Sequence, residues 1–215
     1  AKETIAARGG IATVVNAMEN FITIPAVLER SFSTLWSLAV LPANQSRIAQ
    51  ANGISFVVLG MLSSTQYERV QQQGCGCMFT LAFDPNNRIA LRDAGAPEAL
   101  VLTAKAHYDS PQVQSEVCKC LANLSTPGEG RYHVSSITQE EVDAVIFAMD
   151  RFQSIEVIQV YGCQALLNFL QAKNASKVVA GKKDNMIEAV DKAANSFYSQ
   201  CYAASCDFKM FLQRI

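Results

Sequence analysis

The feature that most constrains this fold is a period. Leu38-Ala39, Leu81-Ala82 and Leu124-Ser125 lie 43 residues apart, and Phe169-Leu170 follows after 45. Bend glycines keep nearly the same step, since Gly10, Gly53 and Gly95 are separated by 43 and 42 residues. The clearest copy is Val70 to Ala96, which reads as a long helix, a break at Asp84-Pro85, a short helix and a sharp bend at Gly95. A fixed period of this length without β-rich segments points to stacked helical units. Unrelated amphipathic helices do not account for it, because bends, breaks and apolar cores recur in phase.

Taken in order, Ala1 to Arg8 reads as the tail of a short helix, and Gly9-Gly10 as a turn that glycine permits. A second helix is predicted over Ile11 to Phe21. A third opens at Pro25, where a missing N–H costs little, and runs to Val40 on a stripe of Leu28, Phe32, Leu35, Trp36 and Ala39. Pro42 is expected to end it. The next unit repeats the plan with Gln45 to Ala51, a turn at Asn52-Gly53, Ile54 to Ser64 and Tyr67 to Phe83. Pro85 to Ala94 and Pro97 to Tyr108 follow, then a helix with Ser110 as cap and Pro111 at its first position. Gly128 to Ser136 lacks apolar periodicity and is expected to be a loop. Thr138 and Glu141 spell a capping box for a helix reaching Phe152, and Ile155 to Gln171 is the matching long helix. Asn174 to Gly181, Asn185 to Tyr198 and Ser199 to Arg214 form a less regular unit, with Lys182-Lys183-Asp184 as a polar turn. The expected organisation is one domain of units at about 9–51, 52–94, 95–136, 137–181 and a partial 182–215.

Half of the 215 residues are hydrophobic and 17% are charged, so the chain can bury a core and is not disordered. A formal charge of −1 gives no steering towards nucleic acid. No apolar run reaches the roughly 18 residues of a spanning helix, and no signal peptide opens the chain. Ala1 stands where an initiator methionine would be, so an excised piece of a longer protein is expected. Seven cysteines, an odd number scattered through helical segments, suggest reduced thiols in a cytoplasmic or nuclear setting. The glycosylation sequons at Asn44, Asn123 and Asn174 are then chance matches.

Three helices per unit with a bend between the first two resemble the armadillo repeat. The residues that carry the resemblance are NRIALRDAGAPEAL at Asn87 to Leu100, QSRIAQANGI at Gln45 to Ile54 and CLANLS at Cys120 to Ser125. LWSLA at Leu35 to Ala39 and ALLNFL at Ala165 to Leu170 are further copies. The likeness covers most of the chain and thins beyond Ala180. HEAT repeats, with two helices and usually no bend glycine, are the competing family. The resemblance implies an all-α, right-handed superhelical solenoid of four to five three-helix repeats, with third helices along its concave wall. It also implies a ladder of side chains near the ends of those helices that hydrogen-bonds an extended peptide, here Ser37, Thr80, Asn123 and Asn168. Asparagine suits the task because it donates and accepts at once. Importins of this family carry a tryptophan four residues before each ladder asparagine. Those positions are Ser33, Gly76, Lys119 and Gln164, so nuclear-signal binding is not expected. Trp36 reads as core.

Residues seven before the ladder, Arg30, Gln73, Glu116 and Tyr161, join Lys119 and Gln164 on the expected wall. The mixture is nearly neutral and favours a polar or mildly amphipathic segment over a strongly charged one. No catalytic constellation accompanies it. Cys75-Gly76-Cys77 and Cys118-Lys119-Cys120 look like metal motifs, but residues i and i+2 of a helix point about 200° apart and cannot chelate together. They read instead as one small, buried repeat position, with Gly74 and Gly76 allowing close helix approach. Gly74-Cys75-Gly76 follows no strand and is not a dinucleotide loop. His107 and His133 have no partner at ligand spacing and read as surface residues. The expectation is therefore a non-enzymatic scaffold without metal or cofactor, holding a protein or peptide partner. The alternative is a self-associating segment that pairs through apolar ends.

Overall fold

The computed structural model describes residues 1–127 and 136–213, which form fourteen α-helices and no strand. They divide into two compact units, Ala1–His107 and Tyr108–Ile215. That boundary falls inside the third sequence-derived unit, between its second and third helices.

The first unit holds α1 (Lys2–Ala7), α2 (Gly10–Asn20), α3 (Pro25–Ala39), α4 (Pro42–Gln50), α5 (Gly53–Ser63), α6 (Glu68–Leu81), α7 (Pro85–Asp93) and α8 (Ala96–Ala106). Prolines set several starts. Pro25, Pro42 and Pro85 sit at first helical positions, each after an extended residue, as the steric demand of the proline ring requires. Pro42 therefore does more than end α3. It opens α4, so the short helix begins three residues before the expected Gln45. Asp84 caps α7 through its side chain, which accepts from the Asn86 N–H at 2.8 Å.

The bends also correct the sequence reading. The left-handed residues are Gly9 (φ 83°), Asn52 (φ 61°) and Gly95 (φ 87°), spaced 43 residues each time. Gly10 and Gly53 are instead the first residues of α2 and α5. A Cβ there would lie 2.8 Å from the Ile5 carbonyl oxygen and 2.9 Å from that of Ile48, so glycine permits tight helix apposition. Asparagine at position 52 tolerates the left-handed region better than most side chains.

α3 and α6 are packed side by side. Leu28, Phe32, Leu35, Leu38 and Ala39 of α3 are buried, as is α6 from Gly74 to Met78. The glycines in α6 answer large neighbours. A Cβ on Gly74 would meet the Met61 sulfur at 2.5 Å, and one on Gly76 the Trp36 ring at 2.8 Å. Gln71, fully buried, donates from Nε2 to the carbonyls of Met61 (3.0 Å) and Ser64 (2.9 Å) at the end of α5. Its Oε1 accepts from Thr103 Oγ1 at 2.6 Å.

The second unit holds α9 (Pro111–Leu124), α10 (Gln139–Arg151), α11 (Glu156–Phe169), α12 (Ala175–Val179), α13 (Lys183–Ser196) and α14 (Tyr198–Leu212). Ser110 caps α9, and Thr138 with Glu141 forms the expected capping box on α10. The loop expected at Gly128 to Ser136 lies, except for Ser136, outside the described residues. α11 packs against α9 on one side and α14 on the other. Gln159 copies Gln71, donating to the carbonyls of Met149 (2.9 Å) and Phe152 (3.1 Å) at the end of α10. Lys182-Lys183-Asp184 is not a free turn. Lys182 pairs with Asp143 at 2.6 Å, and Lys183 and Asp184 start α13, where an acid suits the positive helix terminus.

Within each unit, the ends of the second helices are tied across one period. Ser63 Oγ donates to the Ile22 carbonyl (3.1 Å), and His107 Nε2 bonds the Thr65 carbonyl (2.8 Å). In the second unit Arg151 pairs with Asp109, and Lys192 with Asp150 at 3.2 Å. The chemistry changes from copy to copy while the place does not. His107 is thereby half-buried and bonded, unlike the surface residue expected, and His133 lies outside the described residues.

Candidate partner-binding wall

The outward faces of the third helices display most of the residues singled out by the sequence. In the first unit, α3 presents Arg30 and Ser37, both exposed, and α6 contributes the half-buried Gln73. Thr80 points inward instead. It is buried, and its hydroxyl donates to the Gly76 carbonyl at 3.0 Å. Towards the C-terminal ends of the same two helices the surface turns apolar. The Trp36 ring is half-buried over Gly76, short of the full burial expected of a core tryptophan. Phe79 meets Phe83 edge to face at 5.2 Å, and Val40 and Phe83 are 57% and 58% exposed. Sequence reasoning passed over these two, although Val40 and Phe83 also stand 43 residues apart.

In the second unit, α9 carries Glu116, Lys119 and Asn123, and α11 carries Tyr161, Gln164 and Asn168. Lys119 donates to Glu116 Oε1 at 2.6 Å, so the two charges largely cancel. The other oxygen, Glu116 Oε2, is buried without a hydrogen bond. Asn123 and Tyr161 are half-buried, and Gln164 is exposed. Asn168 differs from the expected outward ladder residue. It is 2% exposed, donates from Nδ2 to the Ala122 carbonyl at 2.9 Å, and accepts at Oδ1 from Gln164 at 2.9 Å. Its amide is spent on joining α11 to α9. Of the four ladder positions, Ser37 faces solvent, Asn123 is half-buried, and Thr80 and Asn168 serve the chain's own backbone.

Burial pushes the Cys77 and Cys118 thiols up to about 12 and also raises Cys163, with the adjoining Cys201 adding to the effect, so these three stay protonated at neutral pH. All seven cysteines are thiols outside any disulfide, and Cys206 is the exposed one. Among the described residues no three His, Cys, Asp or Glu side chains converge as a metal site would require. None of the described helices is long and apolar enough to cross a membrane. Compared with known proteins, the chain matches no family model, no curated protein and no solved structure.

Proposed function

We propose that this chain is a non-enzymatic interaction scaffold, an armadillo-type solenoid of three-helix repeats that holds an extended segment of a partner protein against its third helices. The observation that carries the reading is the direct lateral packing of in-register third helices, α3 on α6 and α9 on α11, with polar side chains left on their outer faces. Repeat stacks expose long surfaces of this kind because each unit covers only its neighbours. The chemistry of the wall supports a polar or mildly amphipathic occupant. Arg30, Ser37 and Gln73 offer one cation and neutral donors beside the apolar Val40 and Phe83. Asn123, Tyr161 and Gln164 share α9 and α11 with the Lys119–Glu116 ion pair, whose charges offset each other.

The test is selection of random short peptides on the immobilised chain, followed by affinity measurement on variants of exposed or half-buried wall residues. Asn123→Ala with Gln164→Ala, and separately Arg30→Ala with Ser37→Ala, leave the Asn168 bond to Ala122 in place. At least one pair is expected to weaken the selected peptides about tenfold, roughly 1.4 kcal/mol, with a melting temperature within about 4 °C of the parent. Peptides that bind both pairs as tightly as the parent, or whose binding falls steeply with salt, would refute the reading.

A further inference from the structure

The apolar end of the first unit's wall is confined to one pair of repeats. Trp36 on α3 and Phe79 on α6 stand 43 residues apart, and Val40 and Phe83 follow them by four residues each. The two rings are half-buried, while Val40 and Phe83 are exposed. Gly76 lets the Trp36 ring lie against α6, where a Cβ would stand 2.8 Å from it. In the second unit the same positions hold Ala122 and Leu167, both buried, with the half-buried Thr126 and the exposed Gln171. Exposed apolar residues therefore do not recur from repeat to repeat. Two half-buried rings with two exposed apolar residues beside them fit one large apolar side chain and offer no row for a longer apolar partner.

Charge selects the rest of the occupant. Arg30 is exposed ten residues before Val40, and no carboxylate among the described residues pairs with it. Arg30, Ser37 and Val40 fall within about 80° round α3. The acids of these two helices are already engaged, Glu29 with Arg69 at 3.6 Å and Glu68 with the Gln72 amide at 3.2 Å. Just beyond α6, Asp84 accepts from the Asn86 N–H at 2.8 Å and from Ser46 Oγ at 3.4 Å. An incoming cation thus meets no vacant carboxylate here, whereas an incoming carboxylate meets Arg30. Ten residues of helix measure about 15 Å. An extended segment covers about 3.3 Å per residue, so a side chain at Val40 and one at Arg30 lie about three to five residues apart once the reach of the arginine is allowed for.

We propose that the first unit's wall selects segments with one large apolar side chain, seated at Trp36, Val40 and Phe83, and a carboxylate about three to five residues away that pairs with Arg30. This specificity rests on the peptide-binding reading of the wall. The apolar anchor carries the affinity, and the exposed ion pair, worth little by itself, sets the direction of the segment.

The test sequences the peptides selected on the immobilised full chain and measures their affinity for further variants. A Leu, Ile, Met or aromatic residue is expected with Asp or Glu about three to five residues from it. Phe83→Ser is expected to weaken such peptides about tenfold, and Val40→Ser repeats the test on the other helix. Arg30→Glu is expected to weaken them about threefold and to restore binding when lysine replaces the acid of the peptide, a reversal that misfolding cannot produce. No selected peptide, or peptides indifferent to every wall variant, would remove the wall reading and this specificity with it. Peptides that depend on the wall but lack the apolar–acid pattern, or that ignore both serine variants and show no charge reversal, would overturn the specificity alone. Self-association of the unliganded chain abolished by Phe83→Ser would overturn it too, by assigning the patch to a second copy.

Discussion

Asn168→Ala separates a structural amide from a binding one. The substitution removes the Nδ2 donor that lies 2.9 Å from the Ala122 carbonyl and the Oδ1 acceptor for Gln164. At 2% exposure of Asn168, water does not readily replace the lost donor at a carbonyl held between α9 and α11. The Ala122 carbonyl keeps the Thr126 Oγ1 donor at 3.1 Å, so one net hydrogen bond of about 1 kcal/mol is lost there, whereas the exposed Gln164 re-solvates at little cost. The expected loss for Asn168→Ala is therefore about 1 kcal/mol, and for Gln164→Ala about 0.3 kcal/mol or less. For a chain of this size that corresponds to a fall in melting temperature of roughly 2–4 °C against about 1 °C or less. Urea denaturation followed by far-UV circular dichroism gives both values on one scale. If Asn168→Ala were as stable as Gln164→Ala while weakening a bound peptide, the amide would be free for a partner and the structural assignment wrong.

Four further outcomes follow from the buried polar groups, the helix glycines and the thiols. Gln159→Leu leaves the Met149 and Phe152 carbonyls without their side-chain donor, and a loss of about 1–3 kcal/mol in the same urea assay is expected. Gly76→Ala places a Cβ 2.8 Å from the rigid Trp36 ring. An overpacking cost of about 1–3 kcal/mol outweighs the roughly 1 kcal/mol gain in helix propensity, so a net loss with altered Trp36 fluorescence is expected, and a stabilised variant would contradict the packing. In the native chain a maleimide is expected to modify Cys206 alone until the protein unfolds. Cys77 and Cys118 are raised from 9.0 to about 12 by burial. Below pH 9 both folded and unfolded states keep those protons. Above it the unfolded thiols ionise first, so stability falls as pH rises towards 12, by at most about 1.4 kcal/mol per pH unit for each thiol.

Helix starts were legible in the sequence where one residue type does one local job. Pro25, Pro111, Ser110 and the Thr138–Glu141 box all mark the helices they were expected to mark. The bends were displaced by a residue because two adjacent positions both favour glycine for different reasons. Gly9 needs a left-handed backbone, while Gly10 needs space against Ile5. Asn52 concealed the true register by meeting the first need without being glycine. The direction of the ladder side chains was not legible, since it depends on a neighbouring helix. Asn168 turns inward to the Ala122 carbonyl of α9, and Thr80 bonds its own helix. Gln71 and Gln159 went unnoticed because an isolated glutamine looks like surface. Their spacing of two periods, with Gln114 between them and also buried, was the available signal.

The glycine–methionine contacts bear on how such a chain can be recombined. Met61 of α5 fills the space over Gly74 of α6, and Met149 of α10 does the same over Gly162 of α11. One period on from Met61 and Gly74 the sequence places Ala104 and Val117, so the sizes at these spacings are exchanged. Bulk at a given position is thus not conserved from copy to copy. A crossover that put α9 in place of α6 would set Val117 against Met61. Moving α5 with α6, or α10 with α11, keeps each glycine under its methionine. The smallest portable module is the helix pair, and breakpoints inside it are the ones selection should remove.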